Sequence, residues 1–140
     1  MNKKIKDKKV SEIMKTDLIT ATEDMTIKDL KALFDRYDYN AFPVVRGKAM
    51  VGIVTKMDLF KTFSTGMRLT RSGYFNLWAN KVGDIMRRSV VFVHPDDSIS
   101  KVIDYMVEFK LRSVPVIKGK ELVGIVSRSD LVPHMVVEEE

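Results

Sequence analysis

Apolar positions recur along this chain with two different periods, and the whole pattern appears twice. Ile27, Leu30, Leu33, Phe34 and Tyr37 fall at three- and four-residue spacing, which predicts an amphipathic helix. Ile99, Val102, Ile103, Met106 and Val107 predict a second one. Each is preceded by a short apolar run, Leu18-Ile19-Thr20-Ala21 or Val90-Val91-Phe92-Val93, whose length and β-branching predict a strand. Two further strands are predicted around 42–45 and 50–55, joined by a tight turn at Arg46-Gly47-Lys48, and Lys118-Gly119-Lys120 marks the same turn later on. The glycine supplies the positive φ that such turns use. Thr26 with Asp29 three residues on predicts a helix-starting capping box. Asp58-Leu59 and Asp130-Leu131 each predict the opening of a closing helix, with Asp at the cap. The first closing helix is predicted to end near Gly66, and a short helix is predicted over Tyr74-Phe75-Asn76-Leu77-Trp78.

Shifting the sequence by 72 residues lays one half on the other without a gap. Val10-x-x-Ile13-Met14 falls on Val82-x-x-Ile85-Met86, and Pro43-Val44-Val45-x-Gly47-Lys48 on Pro115-Val116-Ile117-x-Gly119-Lys120. Val51-Gly52-Ile53-Val54-Thr55-x-x-Asp58-Leu59 falls on Val123-Gly124-Ile125-Val126-Ser127-x-x-Asp130-Leu131. Residues 10–59 and 82–131 share 15 identities in 50 positions, clustered in these blocks. Each copy reads β-α-β-β-α and is too short to bury a good core alone. The expected fold is therefore α+β, with two β-α-β-β-α repeats packed sheet to sheet about a pseudo-twofold axis. Residues 1–140 form one module, with repeat one at 10–65, a connector at 66–81 and repeat two at 82–137.

Composition narrows the chemistry. The chain has 140 residues and no Cys, which removes disulfides, thiolate metal sites and cysteine nucleophiles. The longest apolar run is four residues, Val90 to Val93, so no membrane span is expected. The basic start lacks the apolar stretch of a signal peptide, and a cytoplasmic protein is expected. The net charge of +5 is not spread over the fold: residues 1–9 carry +4, residues 60–81 another +4, and residues 138–140 carry −3. Lys3, Lys4, Lys6, Lys8 and Lys9 read as a solvated tail. Together with Arg68 and Arg71 they leave a nucleic-acid or acidic-partner adaptor as the alternative function. His94 and His134 have no companions at metal-ligand spacing, so both read as structural and no metal site is expected. The nine Met read as gap-filling core residues. With no placed base and no phosphate-loop or dinucleotide fingerprint, the chain is not expected to be an enzyme, and no catalytic residue is assigned.

The doubled Pro-Val-Val-x-x-Gly-x-x-Val-Gly-Ile-Val-Thr-x-x-Asp-Leu pattern, preceded by Val-x-x-Ile-Met, resembles the cystathionine-β-synthase (CBS) motif. Two in tandem resemble a CBS-domain pair, or Bateman module, here making up the whole chain. The resemblance implies a regulatory module that binds adenosine nucleotides or S-adenosylmethionine in clefts between the repeats. It also implies a homodimer built through the helical faces and an effector protein as partner. The bound nucleotide is a regulatory ligand rather than a cofactor. AMP or ADP ranks first, ahead of ATP or S-adenosylmethionine, because one Arg favours phosphate but no basic cluster is large enough for a triphosphate.

The resemblance also implies the site. In the family, an Asp following Gly-h-x-Ser/Thr-x-Ser/Thr (h is apolar) accepts hydrogen bonds from both ribose hydroxyls, and the hydroxyl residues contact phosphate. Gly124-Ile125-Val126-Ser127-Arg128-Ser129-Asp130 matches throughout, whereas Gly52-Ile53-Val54-Thr55-Lys56-Met57-Asp58 has Met57 in place of the second hydroxyl. Asp130 with Ser127 and Ser129 is therefore expected to make the better nucleotide site, joined by Leu18, Ile19, Tyr39, Asn40 and Arg112. The mirror-image site would use Thr55, Asp58, Val90, Val91, Leu111 and the same Arg112. Against this stands a simpler reading, in which both Asp are helix caps worth about 0.5–2 kcal/mol and need no ligand.

Overall fold

The computed structural model describes residues 1–64 and 80–139. The predicted helix end near Gly66, the predicted helix over 74–78, Arg68 and Arg71 lie outside the described residues. The fold is mixed α+β with antiparallel hairpins, and the chain divides into two compact units. One unit is formed by Ile19–Val90, the other by Met1–Leu18 together with Val91–Glu140. The compact units thus differ from the sequence repeats: the Val-x-x-Ile-Met block of each copy belongs with the body of the other copy.

In the unit Ile19–Val90, helix α2 (Ile27–Arg36) starts where the capping signal placed it, Thr26 Oγ1 accepting the Asp29 N–H at 3.1 Å. Strands β2 (Ala41–Arg46) and β3 (Ala49–Thr55) pair antiparallel, and Gly47 takes the turn at φ +61°. Helix α3 (Lys56–Phe63) follows directly. The short helix α4 (Val82–Ile85) adds Val82 and Met86 to a core of Ala21, Leu30, Phe42, Val44, Val54 and Leu59. The strand predicted over Leu18 to Ala21 is corrected. It contracts to a single parallel bridge of Ala21 with Val44, because only the Ala21 N–H and carbonyl meet β2, at Pro43 and Val45.

The other unit repeats the plan. Helix α1 (Val10–Ile13) is followed, after the chain leaves and returns, by α5 (Ile99–Phe109), β4 (Ser113–Lys118) and β5 (Glu121–Ser127), with Gly119 at φ +65°. Its core is Val10, Val93, Ile99, Val102, Met106, Val114, Val116, Val126 and Leu131. The strand predicted at Val90 to Val93 likewise reduces to a bridge of Val93 with Val116. The closing helix α6 (Arg128–Leu131) lasts one turn and passes into a 3-10 turn at Val132–His134. Pro133, which has no N–H to give to an α-helical ladder, sits in that turn.

The basic start is also corrected. It is strand β1 (Asn2–Ile5), paired antiparallel with β6 (Met135–Glu138), and Lys4 Nζ lies 2.9 Å from Glu138. Lys3 and Lys4 stand opposite Val137 and Val136, and the Lys4–Glu138 pair reaches diagonally across the ribbon. Among the described residues no helix is long and apolar enough to cross a membrane.

Candidate functional site

Both expected ligand-binding Asp sit where a strand turns into a helix, but neither is the cap residue. Thr55 and Ser127 hold the extended cap conformation, and Asp58 and Asp130 stand three residues later in a capping box. The correction follows from bond supply: the hydroxyl and N–H that end the strand need an acceptor, and a carboxylate three residues on reaches back to both.

At the β3–α3 corner, Asp58 Oδ2 accepts from the Thr55 N–H at 2.9 Å and from Thr55 Oγ1 at 3.0 Å. Thr55 Oγ1 in turn accepts the Asp58 N–H at 3.1 Å. Asp58 Oδ1 takes a single, longer contact of 3.4 Å from Arg87 Nε. Asp58 is 4% exposed, the buried charged residue among those described.

The β5–α6 corner has the same wiring. Asp130 Oδ2 accepts from the Ser127 N–H at 2.8 Å and from Ser127 Oγ at 2.9 Å. Ser129 Oγ lies 2.9 Å from Ser127 Oγ. Ser127 has one proton and gives it to Asp130, so Ser129 donates to Ser127 and the three groups form a chain. Lys15 Nζ lies 3.5 Å from Asp130 Oδ1. Met57, where the first copy lacks the second hydroxyl, is exposed and adds nothing polar.

Glycine brings the two cations to these carboxylates. A Cβ on Gly52 would stand 2.7 Å from the Arg87 carbonyl oxygen, and one on Gly124 would stand 2.5 Å from Met14 Sδ and 3.1 Å from the Lys15 carbonyl oxygen. The bare backbone lets each Met-Lys or Met-Arg segment lie against the strand. Arg87 exchanges backbone bonds with Ile53 at 2.8 and 2.9 Å, and Lys15 with Ile125 at 2.9 and 3.0 Å.

Of the residues expected for the Asp130 site, Leu18, Arg112, Ser127, Ser129 and Asp130 belong to one unit and Ile19, Tyr39 and Asn40 to the other. Of those expected with Asp58, Thr55, Asp58 and Val90 belong to one unit and Val91, Leu111 and Arg112 to the other. Leu18, Ile19, Val90, Val91 and Leu111 are half-buried, and Arg112 and Asn40 are exposed. Tyr39 stacks on Tyr37 with ring centroids 5.7 Å apart. Backbone carbonyls tie three of these residues to the helix starts: the Asn40 carbonyl accepts the Lys56 N–H at 2.9 Å, the Arg112 carbonyl the Arg128 N–H at 3.2 Å, and the Leu111 carbonyl the Arg128 side-chain Nε–H at 2.8 Å.

Lys15 and Arg87 were not among the expected site residues. Their signal was present: each follows the Met of the matched Val-x-x-Ile-Met block, and both are basic at the same register. Elsewhere, His94 Nδ1 lies 3.1 Å from the Ile117 carbonyl oxygen, in keeping with a structural role. The backbone N–H of His94 holds the Asp97 carboxyl below the ordinary carboxylate range, against an opposing effect of burial and with help from Lys101.

A family model described as CBS domain matches residues 10–65 and 82–137. The uncharacterized protein YlbB of Bacillus subtilis is 31% identical over 125 residues, covering 88% of this chain and 79% of its own. The A-adding tRNA nucleotidyltransferase of Geobacter sulfurreducens is 30% identical over 89% of this chain, and this chain spans only 13% of that enzyme's length. The crystal structure of CBSX2 in complex with AMP has a TM-score of 0.76 at 23% identity, covering 89% of this chain and 94% of that one. The CBS domain pair of protein MJ0100, in complex with 5′-methylthioadenosine and S-adenosyl-L-methionine, has a TM-score of 0.74 at 24% identity, covering 91% and 95%. At these identities the two structures speak for the fold. Matched twice over most of its length and built as two repeats on that fold, the chain belongs to the CBS domain family.

Proposed function

We propose that this chain is a regulatory module that binds adenosine nucleotides, AMP or ADP ahead of ATP or S-adenosylmethionine, and passes the binding event to a partner protein. The observation that carries this reading is the pair of matching corners. In each, a carboxylate is held rigid through Oδ2 while Oδ1 keeps acceptor capacity beyond one cation contact. A carboxylate oxygen with that capacity suits a ribose hydroxyl, and charge-assisted bonds are stronger than neutral ones. The complexes of CBSX2 with AMP and of the MJ0100 pair with S-adenosyl-L-methionine support the ligand class.

Ligand binding regulates only through unequal affinity for two conformations or assemblies. We place the second copy of a homodimer on the exposed apolar stripe of α3, Met57, Phe60 and Phe63, which recurs at helical spacing. The adaptor reading loses one of its cations to the β1–β6 ribbon, where Lys4 pairs with Glu138.

The test is calorimetric titration of AMP, ADP, ATP and S-adenosylmethionine into the protein and into Asp130→Ala, at two salt concentrations. Micromolar binding that weakens in the variant and depends little on salt is the expected result. Absence of binding by all four would overturn the sensor reading. Binding of nucleic acid instead, falling steeply with salt, would establish the adaptor.

A further inference from the structure

We infer that Arg87 and Lys15 are the phosphate-binding cations of the two corners, one for each carboxylate, and that Arg87 gives the Asp58 corner the stronger grip on phosphate. This inference rests on the nucleotide reading above and deepens it.

The geometry of Arg87 is that of a receptor rather than of a structural tie. Its backbone is clamped to Ile53 at both ends, so the side chain starts from a fixed point. The guanidinium spends one of its five N–H groups on Asp58, through Nε, and that contact is long at 3.4 Å. The side chain remains 55% exposed. Both Thr55 bonds go to Asp58 Oδ2, so Oδ1 is left with the long Arg87 contact alone. A hydroxyl acceptor thus stands next to a half-exposed fork of N–H donors. A molecule with a vicinal diol and a phosphate a few bonds apart fits both, and the cation offsets the repulsion that Asp58 alone would exert on phosphate.

Lys15 repeats the arrangement: both backbone groups bond to Ile125, Nζ lies 3.5 Å from Asp130 Oδ1, and the side chain is 57% exposed. The same juxtaposition arises independently in each unit from residues 72 positions apart. The two corners differ in the cation. Arg offers a planar fork that meets phosphate through two parallel bonds, whereas Lys offers a single point charge. The missing hydroxyl at Met57 therefore does not make the Asp58 corner the weaker phosphate site.

The test compares AMP with adenosine, using calorimetry on the full chain. Arg87→Met and Lys15→Met keep the side-chain stem and remove the charge, and Arg87→Lys keeps the charge. In Arg87→Met, AMP affinity is expected to fall about tenfold or more with adenosine changed less than about twofold. Arg87→Lys should recover part of the loss, and Lys15→Met should show the smaller effect. Equal weakening of AMP and adenosine would overturn the inference, because Arg87 would then only position Asp58. Unchanged AMP affinity in both Met variants would overturn it as well. Failure of the unaltered protein to bind either compound would instead sink the nucleotide reading itself, and this inference with it.

Discussion

The corner around Asp58 and the corner around Asp130 are built from the same parts and differ in how tightly those parts are held. Asp58 is 4% exposed and stands in the first turn of a helix of eight residues; the Asp130 side chain is 13% exposed and stands in a single turn that gives way to a 3-10 turn at Pro133. Thr55 both accepts from and donates to Asp58, whereas Ser127 donates to Asp130 and is itself reached by Ser129. Both corners keep the capping box, and the Asp130 corner adds a third hydroxyl, Ser129, to it. Duplication thus preserved the acceptor while changing its surroundings, so the two corners need not share ligand preference or stability.

The largest expected difference comes from the glycines that seat the cations. Gly52→Ala would drive a Cβ to 2.7 Å from the Arg87 carbonyl oxygen, which can move only with its strand pairing. A loss of about 1–3 kcal/mol is expected. In Gly124→Ala the closest atom is Met14 Sδ, the far part of a flexible side chain, so the loss should be smaller. Urea unfolding of the two variants measures this, and equal losses would erase the distinction between the corners.

Next come the caps. Thr55→Ala removes both hydroxyl bonds with Asp58 but keeps the backbone one, on a two-turn helix, and should cost about 1–2 kcal/mol. Ser127→Ala acts on a single turn and should cost roughly 0.5–1 kcal/mol. A larger loss in Ser127→Ala would show that the link to Ser129 carries more of the fold than the longer helix does. Smaller still, Lys15→Met should change stability by less than about 1 kcal/mol, its side chain being more than half exposed. Thermal melts at low and high salt would check this. A large, salt-independent drop would assign Lys15 to structure.

The smallest effect separates the units by pH. Asp97 has a depressed carboxyl, and its counterpart in the first copy is Met25. A depressed folded value means that stability is fully present above the ordinary Asp range near about pH 3.9 and is lost as pH falls through the lower folded value. Acid titration of stability should therefore flatten in Asp97→Asn. An unchanged acid limb would remove Asp97 from the account.

Much of the local structure was legible before any coordinates. Thr26 with Asp29 marked the start of α2, and Gly47 and Gly119 marked the two hairpin turns, because capping and positive-φ turns are satisfied by residues only a few positions apart. The error over Asp58 and Asp130 was of one kind: an Asp before a helix can cap from the first position or reach back from the fourth, and only the placement of the hydroxyl decides. The runs at Leu18 and Val90 misled because extended, apolar and β-branched residues look the same whether they form a ladder or a single bridge.

By itself, the sequence determined that one supersecondary plan occurs twice, where its turns and helix starts lie, and which carboxylates recur at the strand ends. Those are matters of short-range bonding and periodicity, written locally in the chain. Only the tertiary structure decided that Met1–Leu18 joins Val91–Glu140, that a lysine-rich start becomes a strand against an acidic end more than 130 residues away, and that Lys15 and Arg87 reach Asp130 and Asp58. Each of these depends on which distant segments share a core or a strand edge. That is set by packing and by the satisfaction of free backbone groups, and it leaves no period in the chain to read.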